Sequence, residues 1–348
     1  MALAVALVLL VLGSVLFHFL SPWYFTPLAS NWGLIDLTVN ITFVITGIVF
    51  VATNLFIAYC IFRYRYKKVD PALSTENGHK ADYNPENTRL EWWLTIITSV
   101  GIIAMLAPGL VVWAMFITVP DEASEFEVVG QQWHWSFRFP GEDGELGNVD
   151  IRHITKDNAF GMDPEDPVGQ DDILIESPIV HLPVNQPVRV WLRSKDVLHD
   201  FAVPQFRTKM DLVPGHVTYT WFTPTIVGEY EILCEELCGL AHFAMRGRIV
   251  VDEQADFEAW LDEQPTYAML SQTEPDLGLG QASFALCAAC HGQQGQGMQI
   301  LNAPRIAGLD TRYVERQLRY YRDGIRGAHE LDTAGALMRP ILIALAGD

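Results

Sequence analysis

The chain has 348 residues, half of them hydrophobic and only 19% charged, with a mean hydropathy of +0.16. This composition excludes a disordered chain and sits badly with a purely soluble enzyme, and the length allows two or three domains. The formal charge of −19 is uneven: residues 1–120 carry six acids and six Lys or Arg, residues 121–280 carry 30 acids against 10 bases, and residues 281–348 carry six acids and seven Arg. So acidic a middle segment excludes a nucleic-acid binder, which needs a basic face, and suits a domain that receives basic partners.

Residues 1–20 (MALAVALVLLVLGSVLFHFL) are the first apolar run. They lack a basic n-region and an obvious small-residue cleavage site, which favours an extra transmembrane helix over a removed signal segment; either leaves residues 21–37 outside. Residues 38–62 hold no charge over 25 positions. At ~1.5 Å per residue that is about 37 Å of helix, enough to cross a ~30 Å hydrocarbon core with some tilt. Residues 93–118 are a second uncharged span, with Pro108-Gly109 placed to kink it. Both are too long for an ordinary buried helix, so residues 21–120 read as a transmembrane hairpin. Its loop holds Arg63, Arg65, Lys67, Lys68, Lys80 and Arg89, whereas residues 21–37 hold no base. The positive-inside rule puts that loop in the cytoplasm and everything after Thr118 outside.

Residues 121–253 change pattern. Short β-rich runs (FEVVG, WHWSFRF, IVHLPV, VRVWLRS, TYTWF, GEYEILC and GRIVV) are separated by Gly, Pro and Asp, the signature of an all-β sandwich or Greek-key barrel. Segment 141–173 reads as an acidic, irregular insertion. The most informative stretch is Cys234-Glu-Glu-Leu-Cys238-Gly-Leu-Ala-His242-Phe-Ala-Met245. Two thiols, an imidazole and a thioether within twelve residues on a β scaffold select copper. His199, in VLHDF at the end of an expected strand, supplies an upstream imidazole. A mononuclear site needs one Cys; the second permits two thiolates to bridge two coppers. A Cys234–Cys238 disulfide is the alternative for an extracellular pair, but it leaves the Gly, His and Met spacing unexplained.

On this CxExCGxxHxxM pattern with its upstream His, residues 30–253 resemble subunit II of the haem–copper oxidases, the cytochrome c oxidase family. The resemblance implies a cupredoxin-like fold and a binuclear CuA centre. Cys234 and Cys238 would bridge, His199 and His242 would each bind one copper, Met245 would be a weak thioether ligand, and Glu236 would ligate through its carbonyl. It further implies a Mg2+ ion shared between the Glu236 side chain and subunit I. Trp133, in QWHWSF, would be the residue where electrons arrive, although the family usually has Tyr where this chain has His134. Lys209 and Asp211 resemble a segment near subunit I. Glu91 resembles the acid at the mouth of a proton channel, and equally suits the dipole at a helix start; Thr98 stands where the family often has Pro. Cys60 matches no motif and reads as a packing residue.

Residues 254–270 read as a short helix and the stretch to about residue 279 as a polar linker. Then Cys287-Ala-Ala-Cys290-His291 is the attachment signature of c-type haem; the rival, a redox CxxC, is opposed by the adjacent His and the external location. Residues 280–348 therefore read as a small all-α cytochrome c domain. For the sixth ligand, Met338 in GALMRP resembles the Met-x-Pro loop of class I cytochromes c, with Met298 and His329 as lesser candidates. Only about ten residues follow Met338, so either the closing helix is very short or the chain continues further. Residues 311–326 read as a helix whose Arg312, Arg316, Arg319, Arg322 and Arg326 share one face, to contact the acidic copper domain, meet the haem propionates, or stay solvated.

The resemblance implies an electron-input subunit of a terminal oxidase in a bacterial inner membrane, with copper and haem domains on the periplasmic side. A donor such as cytochrome c or a cytochrome bc complex would reduce the haem, and electrons would pass through the copper centre to subunit I, where oxygen is reduced with proton translocation. The chain itself carries no six-His haem–copper core, so the reaction belongs to its partner. Two alternatives stay open: the same wiring feeding a nitric oxide reductase, and a membrane-tethered electron carrier or copper-delivery protein.

Overall fold

The structure, a computed structural model, describes all residues except 22–25, 66–85, 156–157, 176, 273–275, 310 and 346–348. It divides into two compact units, Met1–Asp121 with Gln205–Arg207, and Glu122–Pro204 with Thr208–Asp348.

The first unit contains α1 (Ala2–Leu20), α2 (Gly33–Arg63) and α3 (Thr88–Ile117), all long and apolar enough to cross a membrane. A lipid environment offers no hydrogen-bond partner, and the polar side chains along these helices turn back onto their own backbone. Thr46 Oγ1 donates to the Thr42 carbonyl at 2.7 Å, Asn54 Nδ2 to Phe50 at 2.8 Å and Thr98 Oγ1 to Leu94 at 2.7 Å. Both α2 and α3 begin five residues before the expected uncharged spans, because acids at their first turns, Asp36 and Glu91, suit the positive end of the helix dipole. Asn87 caps α3 by accepting from the Leu90 N–H at 3.1 Å. The helix runs on through Pro108. Arg63, Arg65 and Arg89 flank the connecting loop; Lys67, Lys68 and Lys80 lie outside the described residues.

The second unit starts with a sandwich of two five-stranded sheets. One has the order β3 (Ile173–Ile175), β2 (His134–Phe139), β1 (Ser124–Gln131), β5 (Val188–Ser194), β8 (Thr218–Phe222). The other runs β4 (Ile179–Pro183), β10 (Arg246–Asp252), β9 (Gly228–Leu233), β6 (His199–Val203), β7 (Thr208–Leu212). Alternation sets the core: on β5, Val188, Val190 and Leu192 are buried while Arg189, Trp191 and Arg193 are not.

β1 departs from alternation, with Phe126 to Gly130 all buried, because the acidic insertion covers its outer face. Phe160 and Met162 of that insertion pack with Val129, Leu174 and Tyr267. Arg138 binds Glu127 at 2.7 Å, Asp172 at 2.8 Å and the Gly147 carbonyl at 3.0 Å, all buried, and Arg193 closes on the other Glu127 oxygen. The segment expected to be irregular is thus anchored by a buried cluster of paired charges, whose attraction repays part of the cost of desolvating them.

Helices follow: α4 (Gln254–Asp262), α5 (Tyr267–Gln272), α6 (Leu277–His291), α7 (Thr311–Arg322) and α8 (Thr333–Leu345). The single helix expected over 254–270 is two, since Pro265 removes an N–H and disfavours helix at the residue before it. α7 ends at Arg322 rather than 326, where Gly324 takes φ +72°.

Candidate metal centre and haem site

The donors gather on the β9–β10 loop and at the start of β6. Cys238 Sγ is the hub, 3.7 Å from Cys234 Sγ, 3.4 Å from His242 Nδ1 and 3.8 Å from Met245 Sδ. Cys234 Sγ lies 4.0 Å from His199 Nδ1 and 3.3 Å from the Glu236 carbonyl. Both histidines therefore present Nδ1 inward. Burial opposes ionisation of Cys234, but its bonds with His199, the Asp200 and Glu236 backbone and Cys238 bring it down to about 6. Burial and the neighbouring Cys234 push Cys238 up to about 12. The pair thus loses its first proton at Cys234.

His199 opens β6 instead of ending a strand, because β5 stops at Ser194 and residues 195–198 cross to the other sheet. Its ring is fully buried, and Nε2 donates to Asp196 at 2.8 Å, which fixes the tautomer that leaves Nδ1 free for a metal. Burial lowers the His199 pKa, but the bonds with Asp196 and Cys234 outweigh it and hold the pKa above the usual value. Gly130 makes room for this ring: a Cβ there would stand 3.1 Å from it.

Trp133 sits in the two-residue turn between β1 and β2, 37% exposed, and its indole N–H donates to the Cys238 carbonyl at 3.3 Å. Gln132 Nε2 donates to the same carbonyl at 2.7 Å and its backbone N–H to Asp196. Gly239, at φ +120°, permits this approach; a Cβ would fall 2.7 Å from Gln132 Nε2. Lys209 and Asp211 lie on β7, with Lys209 paired to Glu235 at 3.4 Å.

In the helical domain, Cys287, Cys290 and His291 close α6. His291 is buried, and its Nδ1 donates to the Pro304 carbonyl at 2.7 Å, which leaves Nε2 as the ring nitrogen available to a metal. Leu286, Ile300, Leu301 and Leu337 of this domain are exposed, apolar surface of the kind a bound macrocycle would cover. Met338 lies inside α8, capped by Asp332 accepting from Gly335 N–H at 2.8 Å, so the expected Met-x-Pro segment is helical. Met298 bridges to Ala303, and His329 Nδ1 accepts from Leu331 N–H at 3.1 Å. Glu91 is exposed in the first turn of α3, and Cys60 is half-buried in α2. Of the arginine face, Arg316 reaches His134 in the sandwich, while Arg319 and Arg322 bind Glu315 and Asp323 of their own domain. Arg326 bonds Gln317. The Arg312 side chain lies outside the described residues.

The model of the cytochrome c oxidase subunit II periplasmic domain matches residues 125–253, and that of cytochrome c matches residues 278–341. The alternative cytochrome c oxidase subunit 2 of Bradyrhizobium diazoefficiens is 56% identical over 271 residues, covering 78% of this chain and 95% of the relative. The chain belongs to the cytochrome c oxidase subunit II family. The Cereibacter sphaeroides subunit 2 is 28% identical over 247 residues, 68% of this chain and 77% of that one. Among solved structures, the periplasmic domain of subunit II of the Bradyrhizobium japonicum oxidase is 30% identical over 42% of this chain and 95% of its own, with a TM-score of 0.31. This subunit II thus combines a membrane-anchored cupredoxin-like domain of the copper-binding type with a cytochrome c domain, in an electron-input subunit that partners subunit I. The soft sulfur and imidazole donors fit copper, and the two thiols beside the His291 imidazole fit haem c.

Sequence reasoning missed Asp196, Gln132 and Pro304. Asp196, three residues before His199, is the one with a local signal, an acid close enough to meet the far ring nitrogen of a ligand.

Proposed function

We propose that Cys234 and Cys238, His199 and His242 through Nδ1, Met245 and the Glu236 carbonyl would together hold a pair of coppers. The convergence of these donors on the Cys234–Cys238 pair carries the reading. Cys287 and Cys290 would hold the haem covalently, with His291 and Met338 as the side chains that would bind its iron. When bound, the copper pair and the haem supply one-electron carriage. The protein keeps the copper site rigid: Asp196 fixes the His199 ring and Trp133 the backbone of Cys238, so little has to reorganise as charge moves.

The chain accepts electrons at its haem domain from an external donor, such as cytochrome c or a cytochrome bc complex. It passes them to the copper domain beside Trp133 and delivers them to subunit I for reduction of oxygen with proton translocation. The oxygen chemistry belongs to that partner. Glu91, at the cytoplasmic start of α3, serves proton uptake, and the Glu236 side chain meets a Mg2+ ion at the subunit contact. All three apolar helices, α1 included, span a bacterial inner membrane amid lipid, with both redox domains on the periplasmic side.

Turnover of the purified complex with oxygen and then with nitric oxide tests this. Fast oxygen consumption with little nitric oxide consumption is expected; the reverse would assign the same wiring to a nitric oxide reductase. Purification of the chain without a haem-containing partner would favour a free carrier or copper-delivery protein.

A further inference from the structure

His134 opens β2 directly after Trp133, and its Nε2 lies 3.0 Å from Arg316 Nη1, 182 residues away at the centre of α7. A guanidinium can only donate, so Nε2 accepts and the imidazole is neutral with its proton on Nδ1. Burial and the facing Arg316 charge, with Lys195 adding to them, push its pKa down to about 3. Asp196 is the carboxylate that opposes this shift. The contact is therefore one of a cation with a neutral acceptor.

The place where it lands gives it meaning. His134 pairs with Gln131 to close the hairpin, and the two residues in the turn, Gln132 and Trp133, both donate to the Cys238 carbonyl. Gln132 also donates to Asp196, which receives the His199 ring proton. One side chain of the haem-binding domain thus bonds to the hairpin that braces two proposed copper ligands. Arg316 also lies over the Tyr313 ring, 5.8 Å from its centroid, which steadies the guanidinium.

We infer that the Arg316–His134 hydrogen bond is the latch that seats the haem-binding domain on the Trp133 hairpin and sets the register between the two redox sites. Both are positioning residues. The inference rests on the proposed function for what is positioned, but the contact can be tested without it. The negative copper domain attracts a basic helix from many directions; a directional bond to a neutral ring selects one.

The test uses the whole oxidase complex with Arg316→Ala, His134→Ala, the double variant and His134→Gln. Arg316→Ala keeps a strong helix former in α7, so the fold is retained. Hydrogen exchange of the Gln131–His134 hairpin should rise in Arg316→Ala, and that of α7 in His134→Ala. The internal rate from haem to copper should fall about tenfold or more in either, as expected when a hydrogen bond to a charged group is lost. The double variant should lose no more than the singles, and His134→Gln, whose amide oxygen can accept, should recover most of the rate. Copper and haem spectra should stay unchanged throughout. Unchanged exchange and rate in Arg316→Ala, or losses that multiply in the double variant, would overturn the latch. A wild-type complex without copper or haem spectra would instead overturn the proposed function, while the exchange result would still judge the contact.

Discussion

The sandwich and the helical domain each carry a closely spaced cysteine pair, and they prepare it in different ways. Cys234 and Cys238 are buried, 3.7 Å apart, and ringed by two imidazoles, a thioether and a carbonyl that the strands and loop already hold in place. Cys287 is half-buried and Cys290 exposed on one helix, beside a buried His291. The sandwich has a dense core of its own, from Phe126 and Trp135 to Ile249, whereas the helical domain leaves Leu286, Ile300 and Leu337 exposed. One site is a cradle built by the scaffold; the other asks its covalent cofactor to complete the core. The sandwich should therefore outlast the loss of its metal better than the helices outlast the loss of haem.

The strongest way to break that contrast is to remove each cysteine pair. Cys287→Ser with Cys290→Ser should abolish covalent haem and the cooperative unfolding of the helical domain, leaving the copper absorption intact. Cys234→Ser with Cys238→Ser should abolish copper with haem retained and the sandwich still folded. Haem staining, metal analysis and thermal unfolding by circular dichroism read both; loss of copper in the haem variant would contradict the contrast.

Within the haem domain, Met338→Ala should lower the haem potential and change its spectrum, because a thioether axial ligand raises the potential. Met298→Ala should do neither, and the opposite result would move the ligand. In the copper domain, Asp196→Asn should weaken copper binding by about 10–100-fold, the usual cost of losing a partner that orients a metal-bound His, measured by competition with a chelator.

The smallest effect is one of pH. Burial raises Asp172 from an ordinary 3.8 to about 6, against the pull of Arg138. The folded state then keeps a proton that the unfolded chain has released, so the stability this group contributes declines as pH rises from about 4 to about 6. Asp172→Asn should flatten that part of the melting profile.

The spans and the metal-binding loop were legible because their chemistry dictates spacing. A bilayer demands long uncharged runs, and one loop supplies most of the donors. Asp196, Gln132 and Pro304 were not, because they act through backbone and ring contacts that spacing does not encode. The insertion is irregular as read, with only two short helical turns before β3; its anchoring was not legible, because Glu127, Arg138 and Asp172 are distant in sequence and only the folded sheet unites them. The arginine face was legible as a face; that Arg316 meets a neutral histidine instead of carboxylates was set by the sandwich. The helical setting of Met338 escaped a reading guided by Pro340, which lies inside α8, a helix whose start is capped at Asp332.

The most direct measurement is copper analysis with EPR of the oxidised complex, comparing the wild type with Cys238→Ser. One unpaired electron shared over two equivalent coppers is expected in this chain, lost in the variant while the haem c signal persists. A signal confined to a single copper nucleus, or a Cys234–Cys238 disulfide with no copper in this domain, would contradict it.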